Sequence, residues 1–329
     1  QRKKNKTSKI IRELLRLILF FNKNILREAI FIVEYFLERK SISKKIAHII
    51  RKQNINLVYG NNQVSSNLEA IIAAKKCDTK YIQHLRITAP VKKTEKYLIN
   101  NSISLMIANS IGTSKYFQNE GLKSKIIVLP NAIDTSLKAS NTLTKQDLNI
   151  NNGTPVITMV GSLIKRKRYD IFIQSLNLVN QDFIALIVGQ GNEEKELRQL
   201  SVKLGLTDNI KFLGFRSDVL NLINISDIFV LSSDKEPFGR VFLEAMLCKK
   251  PIIASDNIQC SQVIVDKYNG YLVKYGDYNE LAIKITYLLN NKNQAKKMGE
   301  NGHQLLKEKF DIDLYIKKLC DIFIKYSKE

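Results

Sequence analysis

SSDKEPFGRVFLEAMLCKKPIIASD, residues 232–256, is the stretch that decides the fold. An apolar run at 228–231 leads into it and predicts a buried strand. A polar turn carrying Pro237 and Gly239 follows. A helical pattern then covers 239–248, and a second apolar run, 251–254, predicts the next strand. The unit is strand, turn, helix, strand, and it holds two carboxylates, Glu236 and Glu244. With Glu236 at the helix entrance and Glu244 inside the helix, their backbones lie roughly 12 Å apart at 1.5 Å per residue. Carboxylate pairs that act together on one glycosidic bond sit about 5 to 9.5 Å apart. Two carboxylates gripping hydroxyls at opposite ends of a long ligand fit this spacing better. Between them lies a helix N-terminus, whose N–H groups and positive dipole end suit a phosphate. The implied ligand has hydroxyls at both ends and an anion in the middle, as a nucleoside diphosphate sugar does.

A Glu at a helix start is dipole-favourable in any protein, and Glu244 alone reads as a solvated helix residue. The surrounding string changes that balance. EPFGRVFLEAM, followed by KKPIIASD, resembles the donor-site signature of the group 1 family of retaining glycosyltransferases. That resemblance implies the GT-B fold, an α/β architecture of two Rossmann-like domains whose parallel sheets face each other across a cleft.

The chain has 329 residues, 44% of them hydrophobic, which is enough for two domains with separate cores. Its 52 basic and 31 acidic residues give a formal net charge of +21. Such an excess points to an anionic partner: nucleic acid, anionic lipid or a phosphorylated ligand. Residues 1–52 hold 15 Lys/Arg against 4 Glu, about half of the excess. A general bias toward Lys, Ile and Asn accounts for the excess equally well. The four cysteines, Cys77, Cys248, Cys260 and Cys320, form no CxxC and no cluster with His. This argues against a zinc site or a disulfide framework and for a reducing compartment. No run of 18 apolar residues is present.

Along the chain, 1–9 is basic and polar and is expected to be a frayed start. From 10 to 52 the pattern is helical, with Leu14, Leu17, Ile18, Phe21, Ile25, Ala29, Ile32, Val33 and Phe36 at helical spacing and Arg12, Arg16, Lys23 and Arg27 interleaved. A basic amphipathic helix can lie on an anionic membrane. A helix packed on a sheet with its Lys/Arg in water is the reading favoured for most of the segment. Strands are expected at 57–59, 80–85, 105–108 and 126–129. A second set is expected at 156–160, 184–188, 210–213, 228–231, 252–254 and 271–273, with helical stretches between. Such alternation means parallel sheets. The expected division is an acceptor-side domain at 1–135, a linker at 136–153, a donor-binding domain at 154–305 and a C-terminal helix at 306–329 that packs back on the first domain. Group 1 members usually begin with a strand, a Gly-rich loop and a helix. No such pattern opens this chain, so its first domain is expected to be incomplete.

The resemblance also assigns residues. Gly161-Ser162 with Lys165-Arg166-Lys167-Arg168 resembles the element in which an Arg and a Lys hold the donor diphosphate. Lys167 falls at the Lys position and Ser162 at the Arg position, leaving Arg166, Arg168 or Arg240 to supply the second cation. Gly189-Gln190-Gly191 before Glu193-Glu194 resembles the family's Gly-x-Gly turn, and Gly214-Phe215-Arg216 the loop that meets the base. Glu236 would bind hydroxyls of the transferred sugar and Glu244 those of the ribose. Phe238, Gly239, Arg240 and Val241 would line the phosphate and sugar. The usual Gly-Gly-x-x-Glu element is replaced by 258–262, Ile-Gln-Cys-Ser-Gln, whereas Asn269-Gly270 matches the closing turn. In the first half, His84, followed by Arg86, falls at the acceptor-side catalytic His; Ser110, Asn131 and Asp134 match positions around the cleft and hinge. A lone His is more often structural than catalytic.

The expected activity is transfer of a sugar from a nucleoside diphosphate donor to an acceptor hydroxyl with retained configuration, in polysaccharide, lipopolysaccharide or glycolipid synthesis. His84, Glu236 and Lys167 would be the catalytic residues. No metal and no cofactor beyond the donor is expected. The expected partners are the nucleotide sugar, a glycan or lipid-linked acceptor and an anionic membrane surface on the cytoplasmic side. A nucleotide-sugar-binding protein without turnover is the alternative. A nucleic-acid-binding protein ranks lower, because the basic residues lack the interleaved aromatics of a recognised module and Trp is absent.

Overall fold

The computed structural model of the protein describes residues 6–140, 142–234, 238–258 and 260–328. They fall into two compact units, one of residues 6–129 with 317–328, the other of residues 130–316.

The first unit opens with α1 (Lys6–Ile18) and α2 (Lys23–Glu34), and a π-helical turn (Tyr35–Arg39) leads into α3 (Lys40–Lys52). Residues 6–9, expected to fray, are the first turn of α1. Four strands follow: β1 (Leu57–Asn62), β2 (Lys80–Leu85), β3 (Leu105–Ala108) and β4 (Ile126–Val128). They form one parallel sheet in the order β1-β2-β3-β4. The connections run through α4 (Leu68–Lys76), α5 (Lys93–Asn100) and α6 (Ile111–Asn119). Because right-handed crossovers progress in one direction, these helices share a face of the sheet. Ser110 starts α6 as its cap, accepting from the Thr113 N–H at 3.0 Å.

The N-terminal helices are fastened by charge. Arg12 reaches Glu34 at 3.1 Å and Glu38 at 3.7 Å, while Arg39 reaches Glu34 at 3.4 Å and Glu69 on α4 at 3.3 Å. Arg39 and Glu69 are both buried. Glu28 on α2 accepts from the N–H groups of Lys93 and Thr94, closing the start of α5 from another helix. The expectation that the basic residues of this segment face water therefore holds only in part. On α1, Arg12 lies in ion pairs, while Ile10, Leu14, Leu17 and Ile18 are more than half exposed, as are Phe20 and Phe21 in the following turn. The apolar residues of α1 form one broad stripe, and Ile11 and Leu15 on it are half-buried whereas the others are exposed. Among the described residues, no helix is long and apolar enough to cross a membrane.

The second unit holds β5 (Val156–Val160), β6 (Ile184–Val188), β7 (Ile210–Gly214), β8 (Ile228–Leu231), β9 (Ile252–Ser255) and β10 (Gly270–Val273). The helices are α7 (Tyr169–Leu176), α8 (Glu194–Lys203), α9 (Val219–Asn224), α10 (Arg240–Leu247), α11 (Tyr278–Asn290), α12 (Lys292–Lys309) and α13 (Ile312–Lys328), whose last residues group with the first unit. All six strands are parallel, in the order β10-β9-β8-β5-β6-β7. β5, β8 and β9 are buried along their whole length, as strands covered on both faces must be. The order reverses between β5 and β8. Ligands of such sheets bind at the carboxyl ends of the strands beside that reversal. Residues 130–153 pack on this unit: Ile150 is buried in its core, and Ile133 pairs with the backbone of Phe310 and Ile312. Both halves are thus Rossmann-like, as the alternating pattern predicts.

Candidate functional site

At the carboxyl end of β5 the chain makes a sharp exit. Gly161 has φ +152°. A Cβ built there would lie 3.3 Å from Cε and 3.5 Å from Nζ of Lys167. A side chain at Gly161 would press on Lys167 and be strained at this φ. A 3₁₀ turn over Lys165–Lys167 brings this lysine back over the strand end, and it is only 8% exposed. The Tyr169 hydroxyl donates to the Gly161 carbonyl at 2.9 Å and holds the turn from α7.

β6 ends against the same loop. Gly189 has φ +139°, and a Cβ there would lie 2.0 Å from the Gly161 carbonyl oxygen. A Cβ at Gly191 would lie 2.2 Å from the Leu163 carbonyl oxygen. Backbone bonds join the two loops, from Gly161 N–H to Val188 O at 2.9 Å and from Leu163 N–H to Gln190 O at 3.0 Å. Close backbone packing between the loops is thus sufficient reason for both glycines.

At β8, on the other side of the reversal, Ser232 donates to the Arg168 carbonyl at 2.7 Å. The Asp234 N–H donates to the Arg166 carbonyl at 2.9 Å. The exit of β8 is therefore stitched to the turn that carries Lys167. The next residues, 235–237, lie outside the described residues, and with them Glu236; Gln259 does also. Phe238 and Gly239 are buried, and α10 starts at Arg240 with Gly239 as an N-cap that offers no side chain. Gly239 has no side chain with which to cap the first-turn N–H groups, and a helix start of this kind can receive an anion. Val241 is half-buried and Arg240 exposed. Glu244, one turn in, is half-buried. Burial pushes its pKa up, and the Arg240 charge pulls against that. A ligand hydroxyl donating to Glu244 would favour the ionised form.

The structure separates the cations that the sequence leaves equivalent. Arg168 stands in the left-handed region at φ +54° and is held by Asp170, at 2.9 and 2.8 Å, and by the Tyr275 hydroxyl at 2.7 Å. Arg216 is likewise paired with Asp218 at 2.7 and 2.6 Å, which draws the Asp218 pKa down. Both charges are locally neutralised. Ser162 and the Phe215 ring are exposed, the latter 73%. Asn269 and Gly270 serve the chain itself: Asn269 bonds the backbone of Val263 and Val265, and a Cβ at Gly270 would meet the Ile252 carbonyl at 2.1 Å.

In the first unit, His84 is fully buried near the end of β2, with Nδ1 2.6 Å from the Tyr59 hydroxyl. Burial, helped by the Arg86 charge, lowers its pKa to about 3. The ring is neutral at any physiological pH, so it can donate or accept a hydrogen bond but does not carry a proton as imidazolium. Arg86 donates to the Asn61 side chain at 2.9 Å. Asp134 accepts from Ser136, and its neighbour Ile133 is bound to the backbone near Phe310. Sequence reasoning missed Tyr59, Tyr169 and Ser232. Tyr59 had a readable signal, since parallel pairing of 57–62 with 80–85 places it two positions from the partner of His84. Tyr169 and Ser232 act through backbone carbonyls and leave no pattern in a single sequence.

Residues 140–305 match the family described as glycosyl transferases group 1. An uncharacterized glycosyltransferase of Methanocaldococcus jannaschii is 27% identical over 289 residues, which is 84% of this chain and 76% of that protein. The lipopolysaccharide core biosynthesis glycosyltransferase LpsE of Rhizobium meliloti is 25% identical over 219 residues, 65% of this chain and 64% of its own length. Among solved structures, Anabaena HepE in complex with UDP superposes with a TM-score of 0.80 at 27% identity, covering 86% of this chain and 82% of HepE.

Proposed function

The chain belongs to the group 1 glycosyl transferases, and from that membership we propose that it moves a sugar from a nucleoside diphosphate to an acceptor hydroxyl with retention of configuration. The observation that carries the reading is the convergence, at one strand reversal, of the buried Lys167 and the start of α10 at Gly239. A cation and a helix N-terminus together form a site for a diphosphate. Glu244, one turn deeper, accepts from ribose hydroxyls, and the exposed Phe215 ring is available to the base. Glu236 takes hydroxyls of the transferred sugar. Arg240, at the first position of α10, replaces the cation absent at Ser162.

In the reaction the bond from the anomeric carbon to the diphosphate oxygen breaks, and a bond to the acceptor oxygen forms on the same face. The acceptor proton passes to the departing diphosphate. Lys167 and the helix N–H groups stabilise charge growing on that leaving group, which is where preorganised donors act most strongly. His84, being neutral, would serve the reaction as a hydrogen-bonding group and not as an imidazolium. UDP is the first nucleotide to test, because HepE has been solved with it. LpsE, named for lipopolysaccharide core biosynthesis, favours an envelope glycan or lipid-linked acceptor. An acceptor of that kind and the exposed apolar residues of α1 favour work at an anionic membrane surface facing the cytoplasm.

Thermal unfolding in the presence of UDP and UDP-sugars tests the donor site. A ligand at a hundredfold excess over its dissociation constant stabilises by about 2.7 kcal/mol. Lys167→Ala should weaken binding by about 10- to 100-fold, the equivalent of about 1.5–3 kcal/mol for a charge-assisted bond. Absence of stabilisation by every nucleoside diphosphate and its sugars would remove the proposal. Stabilisation without hydrolysis or transfer would leave a binding protein.

A further inference from the structure

The amino ends of the strands in the second unit hold a cavity of about 350 Å³. It opens where β5, β8 and β9 begin, and the end of α11 and the start of α12 close it. Five lysines line it, Lys145, Lys249, Lys250, Lys292 and Lys296, against a single carboxylate, Asp227. Asp227 is already engaged: it accepts from the Val156 N–H at 2.8 Å and from Lys145 at 3.2 Å. Lys145 also donates to the Thr154 carbonyl at 2.8 Å. Among the described residues, no carboxylate pairs with the other four ammonium groups.

Two features set this cluster apart from the general lysine excess. First, Lys250 is half-buried, and burial draws its pKa down. A chance surface lysine extends its head into water instead. Second, α12 begins at Lys292, and its first turn holds no acidic residue and no capping side chain. A helix N-terminus is the least favourable end for cations, yet Lys292 and Lys296 stand in its first two turns. An anion in the cavity would relieve both the mutual repulsion of the lysines and the dipole conflict. Leu288 and Leu289 add apolar wall, which suits an organic body attached to the anion.

We propose that this cavity is a second anion site, for a phosphate-bearing ligand, at the ends of the strands opposite those that carry the donor site. It does not depend on the reading of the donor site, because the two share no residue. The phosphate belongs either to a soluble metabolite or to a lipid headgroup, and the two are separable by experiment.

The test is residue-resolved acetylation of the full chain, read by peptide mass spectrometry, with inorganic pyrophosphate as the probe. Protection is expected at Lys249, Lys250, Lys292 and Lys296, by about tenfold once the probe is in large excess over its dissociation constant. The exposed Lys203 and Lys307 should be unaffected. Pyrophosphate held at Lys167 alone, uniform protection of all lysines, or none would each overturn the proposal. In the double variant Lys292→Ser and Lys296→Ser, both positions being exposed, protection of Lys250 should disappear; persistence would also overturn it. Vesicles of phosphatidylglycerol replace pyrophosphate in a parallel arm. Protection by vesicles assigns the phosphate to lipid, and protection by pyrophosphate alone assigns it to a soluble ligand.

Discussion

His84 shows how burial fixes what a residue can do. Its pKa in the fold is about 3, against an ordinary value near 6.5. The unfolded chain therefore binds a proton between these values that the folded chain refuses. By linkage, stability contributed by the neutral ring is complete above about pH 6.5 and declines as pH falls toward 3. The loss is about 1.4 kcal/mol per pH unit in that window. We expect His84→Gln, which keeps a polar partner for Tyr59, to flatten the fall in melting temperature between pH 7 and 5. An unchanged slope would place the acid sensitivity elsewhere. The same scale shows what a single sequence can convey. Gly161, Gly189 and Gly191 stood out through the family resemblance, but the backbone contact between two loops that excludes a Cβ at Gly189 and Gly191 could not be read from a Gly-x-Gly alone. In Lys165-Arg166-Lys167-Arg168 only the resemblance singled out Lys167; what tells the four apart physically is a 3₁₀ turn that buries the third and a left-handed fourth that turns to Asp170.

At the scale of elements, the parallel strands were readable from their apolar runs, and so was the helix after Gly239. The orientation of α1 was not, since its apolar stripe predicts burial, yet Ile10, Leu14, Leu17 and Ile18 on that stripe are exposed. The ion pairs of Arg12 and the hold of Glu28 on α5 fix that orientation. They leave Leu14, Leu17 and Phe21 outward beside a strongly basic segment. The proposed membrane contact would use apolar insertion here, with about 1 kcal/mol added by each nearby basic residue. Flotation should show binding to phosphatidylglycerol vesicles and little to neutral phosphatidylcholine. Leu17→Glu with Phe21→Glu should lower the bound fraction by about tenfold or more. Equal flotation of the double variant would exclude this surface as the membrane contact.

At the scale of the whole chain, sequence order and spatial grouping part company, because residues 317–328 join the first unit although they follow the second. Phe323 packs edge-on against Tyr59 at 5.0 Å between ring centroids, and Tyr59 in turn bonds His84. Ending the chain at residue 316 should therefore loosen β1 and β2, lowering amide-exchange protection there by about 2 kcal/mol. β5 to β9 should exchange as before. Protection lost throughout, or nowhere, would contradict this grouping. The glycine contact between the β5 and β6 exits carries a different consequence, for how donor preference can change over generations or at the bench. The two loops touch backbone to backbone, so closely that a Cβ at Gly189 would come within 2.0 Å of the Gly161 carbonyl oxygen. Substitution there breaks the cradle before it can retune it. In the proposed donor site, freedom to vary lies instead at the outward positions, Ser162 and Phe215, and a library built on that proposal should begin with those two and leave the glycines untouched.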